Sequence, residues 1–236
     1  MIMTAILSNL QAVHAAIDQA ALMAQRDAAQ ITLLAVSKTV PASVVREAYS
    51  LGQKAFGENF VQEALDKMHD LRDLPLQWHF IGPIQSNKTR AIAENFSWAH
   101  SVDRLKIAQR LSEQRPTNMP PLNVCLQINV SGESTKGGVA PDEAEELAHA
   151  IAILPRLKLR GLMAIPAPAE ELAVQRAAFT KMRELLNMLN TTGLNLDTLS
   201  MGMSHDLTAA ILEGATIVRV GTAIFGSRAQ RAADQH

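Results

Sequence analysis

Three short stretches hold residues that could do chemistry together. Lys38 follows the apolar run in "LLAVSKTV" (33–40); Ser200 and Gly202 sit in "SMGMS" (200–204); Arg219, Gly221 and Thr222 sit in "RVGTAIFG" (219–226). An unperturbed lysine has a pKa of about 10.4, so a nearby cation or desolvation would help to expose its amine as a nucleophile. Hydroxyls beside glycines, whose backbone N–H groups approach closely, suit an anion such as phosphate. A helix starting near Ser204 would add a favourable field at its N-terminus. Each feature also has a plainer reading. Lys38 reads equally as a solvated charge at a strand end, the glycine stretches as ordinary βα turns, and Arg219 as a strand arginine paired with an acid. Position has to decide between them.

The elements that must position these residues follow from the pattern of the chain. Short β-rich runs occupy 31–37, 54–59, 76–82, 96–102, 122–130, 157–165, 196–202 and 215–221. Helical patterns fill 42–52, 60–72, 86–95, 103–114, 141–154, 170–190 and 204–213. Pro41 and Pro141 sit where a first helical turn tolerates proline, and Gly52 and Gly214 where helices stop. Ile6, Leu10, Val13 and Ile17 recur at helical spacing, so an amphipathic helix precedes the first strand. With 236 residues, 47% hydrophobic, and no linker or low-complexity tract, the alternation predicts one domain over residues 1–236. The expected fold is α/β: a single TIM (β/α)8 barrel with an added N-terminal helix. A doubly wound open sheet is the alternative. In a TIM barrel, functional groups come from the C-terminal ends of strands, and the loops after strands seven and eight often hold a phosphate. Lys38 falls after the first strand, and the two glycine stretches close the seventh and eighth. All lie on one rim.

A ligand with both an aldehyde and a phosphate would use Lys38 as Schiff-base partner and the far stretches as anchor. Pyridoxal 5′-phosphate (PLP) has these groups. Arg219 could then reach the pyridine nitrogen, where a permanent cation discourages ring protonation and makes a poorer electron sink than a carboxylate partner would. At matching order and spacing, "AVSKTV", "FGENFVQE", "WHFIGPIQSNK", "GLMAIP", "LSMGMSHD" and "VRVGTAIFGSR" resemble the YggS/PROSC family of PLP homeostasis proteins, from about residue 30 to 228. That resemblance implies a fold type III barrel like the N-terminal domain of alanine racemase. It implies Lys38 as the residue forming the internal aldimine, Ser200, Gly221 and Thr222 as phosphate ligands with Gly202 in the same turn, Arg219 at the pyridine nitrogen, and Asn59 beside the cofactor.

Other residues carry less. His79 reads as a core histidine with a pocket role open, Ser86 as a helix cap, Lys88 as solvated, and the stretch 131–138 with Lys136 as a βα loop without Walker order. His205 receives no role, and no metal-ligand spacing appears. Tyr49, the only tyrosine, falls late in the helix after the first strand, far from Lys38. A racemase of this fold type takes its second base, a tyrosine, from a further domain of the partner subunit. The chain is therefore expected to hold and release PLP, with apo PLP-dependent enzymes as recipients, rather than to turn over substrate. A weak amino-acid racemase or decarboxylase is the alternative; a phosphosugar aldolase fits less well, because its lysine sits later in the barrel. A net charge of −1 without a basic run gives no sign of nucleic acid or membrane as partner. The single cysteine, Cys125, fits a reducing cytoplasm, and the missing racemase dimer contact predicts a monomer.

Overall fold

The structure is a computed structural model that describes residues 2–133 and 137–226, with side chains from Ala5 onward. Its strands are β1 (Thr32–Val36), β2 (Ala55–Glu58), β3 (Gln77–Phe80), β4 (Trp98–Val102), β5 (Leu122–Gln127), β6 (Leu157–Met163), β7 (Thr198–Ser200) and β8 (Ile217–Val220). They pair in parallel in sequence order, and β8 returns to β1 to close the barrel. At that seam Leu34 faces Arg219 and Ala35 faces Val220. The helices are α1 (Ile2–Met23), α2 (Ala42–Ser50), α3 (Val61–Asp70), α4 (Thr89–Asn95), α5 (Leu105–Gln114), α6 (Ala144–Ala152), α7 (Leu172–Thr191), α8 (Leu207–Leu212) and α9 (Thr222–Phe225). The expected TIM barrel with an N-terminal helix is the observed one.

Strand alternation divides the side chains between two cores. Leu33, Ala35, Phe56, Phe80, Val218 and Val220 turn outward into the main core beneath the helices. Leu34, Ala55 and Ile217 form a smaller cluster with Ile81 and Trp98 inside the barrel. The predicted stripe of α1 (Ile6, Leu10, Val13, Ile17) is buried, and the helix packs on α8 and α9. Asn9 Nδ2 donates to the Ile224 carbonyl at 2.9 Å, tying α1 to the turn after β8. Gly52 and Gly214 end α2 and α8 at φ values of 100° and 97°, a left-handed conformation that glycine adopts without cost.

Among the helix starts that differ from expectation, two concern serines. α4 begins at Thr89, and Ser86 is not its cap: its carbonyl accepts from Thr89 Oγ1 at 2.9 Å. α8 begins at Leu207, and a turn precedes it in which Met203 N–H donates to Asp206 Oδ1 at 2.5 Å. The helix is six residues long and starts beyond Ser204, so the expected field at Ser204 is not supplied by its first turn.

Candidate functional site on the C-terminal rim

Lys38 lies two residues beyond the end of β1 and is exposed. It sits in the turn that leaves the C-terminal end of β1. Across the seam, Gly221 and Thr222 make the turn from β8 into α9, with Thr222 exposed. A Cβ at Gly221 would lie 3.2 Å from the Val36 carbonyl oxygen and 3.3 Å from Val36 Cβ. Those contacts would be tight, so the turn after β8 lies close to the strand that leads to Lys38. Asn59 follows β2, the other neighbour of β1, and its Oδ1 is buried without a hydrogen-bond partner. A buried carbonyl left unpaired is costly, so this atom is an acceptor waiting for a donor.

Arg219 and Ser200 lie deeper. Arg219 is 5% exposed; its Nη1 donates to the Ser200 carbonyl at 2.6 Å and to Ser200 Oγ at 2.8 Å, and its Nη2 donates to the Ala164 carbonyl at 2.9 Å. Burial lowers its pKa to about 10, with Asp206 opposing the shift, so it stays charged at neutral pH. The Ser200 hydroxyl, fully buried, also meets His100 Nδ1 at 2.8 Å. Its hydroxyl thus lies between Arg219 and His100 beneath the rim. Gly202, at φ 95°, turns the chain after β7, and a Cβ there would press on Ala210. Ser204, in the same stretch, is the exposed hydroxyl.

Beyond Ser200 the chain of contacts continues: His100 Nε2 lies 2.9 Å from His79 Nδ1. Its direction follows from Arg219, which can only donate. The Ser200 hydroxyl accepts from Arg219 and gives its own hydrogen to His100 Nδ1. His100 then donates from Nε2 to His79 Nδ1, and His79 carries its hydrogen on Nε2, a buried atom without a partner. The opposite tautomers would leave two groups unpaired instead of one, the Ser200 hydroxyl hydrogen and His79 Nε2. Both rings are neutral. Burial holds His79 down at about 3, and burial together with His79 and Arg219 holds His100 well below the usual range. His79, stacked on Trp98 at 5.3 Å, is therefore a core histidine as expected, while His100 joins the network unanticipated by the sequence.

A second polar cluster lies outside the barrel wall, beneath Lys38. Glu58 and Ser37 turn outward toward α3, where Lys67 Nζ lies 2.5 Å from Glu58 Oε1 and 2.8 Å from Glu63 Oε1. Burial raises the Glu58 pKa, and the Lys67 charge opposes the shift. The signal for this cluster was present in "GENFVQEALDK", where Glu63 and Lys67 share a helix face at i, i+4 spacing. Lys136 and Arg228 lie outside the described residues. Among the described residues no helix is long and apolar enough to cross a membrane.

The barrel with its N-terminal helix has counterparts among known proteins. The family model "Alanine racemase, N-terminal domain" matches residues 8–229. The chain is 65% identical over 226 residues to the pyridoxal phosphate homeostasis protein of Pseudomonas aeruginosa, covering 96% of this chain and 97% of that protein. It is 53% identical to the protein of the same name from Escherichia coli strain K12, covering 96% and 98% of the two chains. PipY of Synechococcus elongatus, solved with PLP bound, superposes with a TM-score of 0.81 at 38% identity, covering 94% of this chain and all (100%) of that one. Alanine racemase of Corynebacterium glutamicum shares the fold at a TM-score of 0.70 and 22% identity; the match covers 96% of this chain and 62% of that one. The chain belongs to the alanine racemase N-terminal domain family and, within it, to the YggS/PROSC family of pyridoxal phosphate homeostasis proteins.

Proposed function

We propose that the chain binds PLP on this rim through a covalent bond to Lys38, and that it holds and supplies the cofactor without efficient catalysis of its own. The observation that carries the reading is the placement of the exposed Lys38 across the β1–β8 seam from Gly221 and Thr222, with charged Arg219 buried behind. PLP supplies an aldehyde that condenses with a primary amine with loss of water, and its ring nitrogen lies opposite that aldehyde on the pyridine ring. Lys38 at the mouth and Arg219 deeper inside match this polarity. Gly221 and Thr222 hold the phosphate, with Gly202 shaping the neighbouring turn. Asn59 offers its unpaired Oδ1 beside the ring. Ser200 serves at one remove, by orienting Arg219. The names of the relatives and the PLP-bound state of PipY support the same reading.

Features of the chain's own residues support a reading without efficient turnover. Arg219 keeps its charge and opposes a proton on the ring nitrogen. The only tyrosine, Tyr49, is next to last in α2, a helix that runs away from the C-terminal rim. Positioned acid–base groups each contribute a factor of about 10² to 10⁴, so a site without the second one is left with slow background reaction. In this reading the protein works in the cytoplasm as a monomer and passes PLP to apo PLP-dependent enzymes. The test is borohydride reduction of the PLP-loaded protein followed by peptide mass analysis. Pyridoxyl mass is expected on Lys38, and Lys38→Ala should lose the yellow colour. Primary labelling of Lys88 or Lys136 would refute the assignment, and sustained Lys38-dependent turnover of amino acids would overturn the holder role.

A further inference from the structure

Both residues that flank Lys38 are held by side chains from β2 and α3. The Ser37 hydroxyl donates to Glu58 Oε1 at 2.6 Å, and the Ser37 carbonyl accepts from Lys67 Nζ at 2.6 Å. That carbonyl also accepts from Val40 N–H at 3.0 Å, closing a turn around Lys38. Thr39 N–H donates to Glu63 Oε1 at 2.5 Å. Thr39 has φ 59°, a left-handed conformation that a β-branched residue keeps only where its surroundings impose it. The side chain of Lys67 is 6% exposed and that of Glu58 is fully buried.

We propose that Lys67, clamped between Glu58 and Glu63, is a positioning residue that fixes the Ser37–Thr39 turn and so aims the Lys38 amine into the mouth of the barrel. The proposal rests on the reading that Lys38 is the amine bonded to PLP. Burying a lysine here is a poor route to stability, because apolar residues of similar volume usually replace a buried ion pair at no loss. Packing α3 against β1 and β2 needs no charge. An ammonium with three donors, however, can take two carboxylates and a backbone carbonyl at once, which a hydrocarbon cannot. The carboxylates in turn grip the hydroxyl of Ser37 and the amide of Thr39. Lys67 thereby joins the backbone on both sides of Lys38 into one rigid unit. A turn fixed in advance presents its amine without ordering the chain at the moment of binding.

Two variants test this: Glu63→Ala, which frees the Thr39 amide from a partly exposed carboxylate, and the double change Glu58→Gln with Lys67→Met, which removes both buried charges together. In the PLP-free protein, hydrogen exchange at the Thr39 amide should quicken by about tenfold in each, the scale of one lost hydrogen bond. With PLP added, borohydride-trapped product on Lys38 should form at least about tenfold more slowly. Pyridoxine 5′-phosphate, which lacks the aldehyde, should bind the variants within about twofold of the parent, because its affinity draws on the phosphate and ring contacts alone. Unchanged exchange in both variants would remove the clamp. Equal losses of trapping and of pyridoxine 5′-phosphate binding would reduce Lys67 to a structural ion pair. A parent protein with no trapped product on Lys38 would overturn the covalent reading itself, while the exchange data would still decide the clamp.

Discussion

Ser200 and Thr222 both carry hydroxyls at strand ends, and their surroundings differ. Thr222 is exposed at the mouth, whereas Ser200 is enclosed by His100 and Arg219. Hydrogen bonds to a charged group are worth roughly 1.5–3 kcal/mol, or about ten- to a hundredfold in affinity. Thr222→Ala should weaken binding of PLP by that factor and leave pyridoxal, without a phosphate, unchanged. Ser200→Ala should weaken both vitamers by the same factor, because it loosens the arginine rather than the anion site. Titration of each variant with both vitamers separates the two, and a phosphate-selective loss in Ser200→Ala would return Ser200 to the anion site. Nothing local in "SMGMS" announces this. The partner that claims the hydroxyl is a histidine 100 residues earlier in the chain, brought close only by barrel closure.

The elements were legible because an alternation of apolar runs and helical patterns leaves few ways to bury both faces of a parallel sheet. Helix starts were less so. At Ser86 and Ser204 a serine precedes a helical pattern, yet both open turns, and α4 and α8 begin three residues later. How closely two turns approach was also invisible in the sequence. Gly82, just after β3, is such a case: a Cβ there would sit 2.8 Å from Asn59 Cα and nearer still to its carbonyl oxygen. Both groups are backbone, so neither can swing aside. Gly82→Ala should therefore lower stability by about 1–3 kcal/mol and displace the turn that carries Asn59. Denaturant midpoints together with PLP titration measure the two effects. A variant with parental midpoint and parental affinity would mean that the β2–α3 turn yields at no cost.

For the molecule as a whole, the neutral histidine pair sets an acid limit. An unfolded imidazole titrates near 6.5, whereas folded His79 is held at about 3, so the unfolded chain binds more protons across that interval. Stability is full above about pH 6.5 and falls as the pH drops toward 3. Between pH 7 and 5 His79 alone should cost on the order of 2 kcal/mol, and His100 acts in the same direction. The ion-paired carboxylates Asp73, Asp197 and Glu213 are held below their usual range, so their contribution is lost only at lower pH. Urea midpoints of the PLP-free protein at pH 7 and 5 check this, and equal midpoints would contradict the buried neutral pair. The seam between β1 and β8 has a consequence of another kind. The strands that lead to Lys38 and to the Gly221–Thr222 turn pair across it, although they come from opposite ends of the described chain. A growing polypeptide has its lysine early but can complete the pocket only after its last strand has emerged and docked. If PLP is held at this seam as proposed, its capture reports that the ring is sealed, and a captured molecule holds it sealed by mass action.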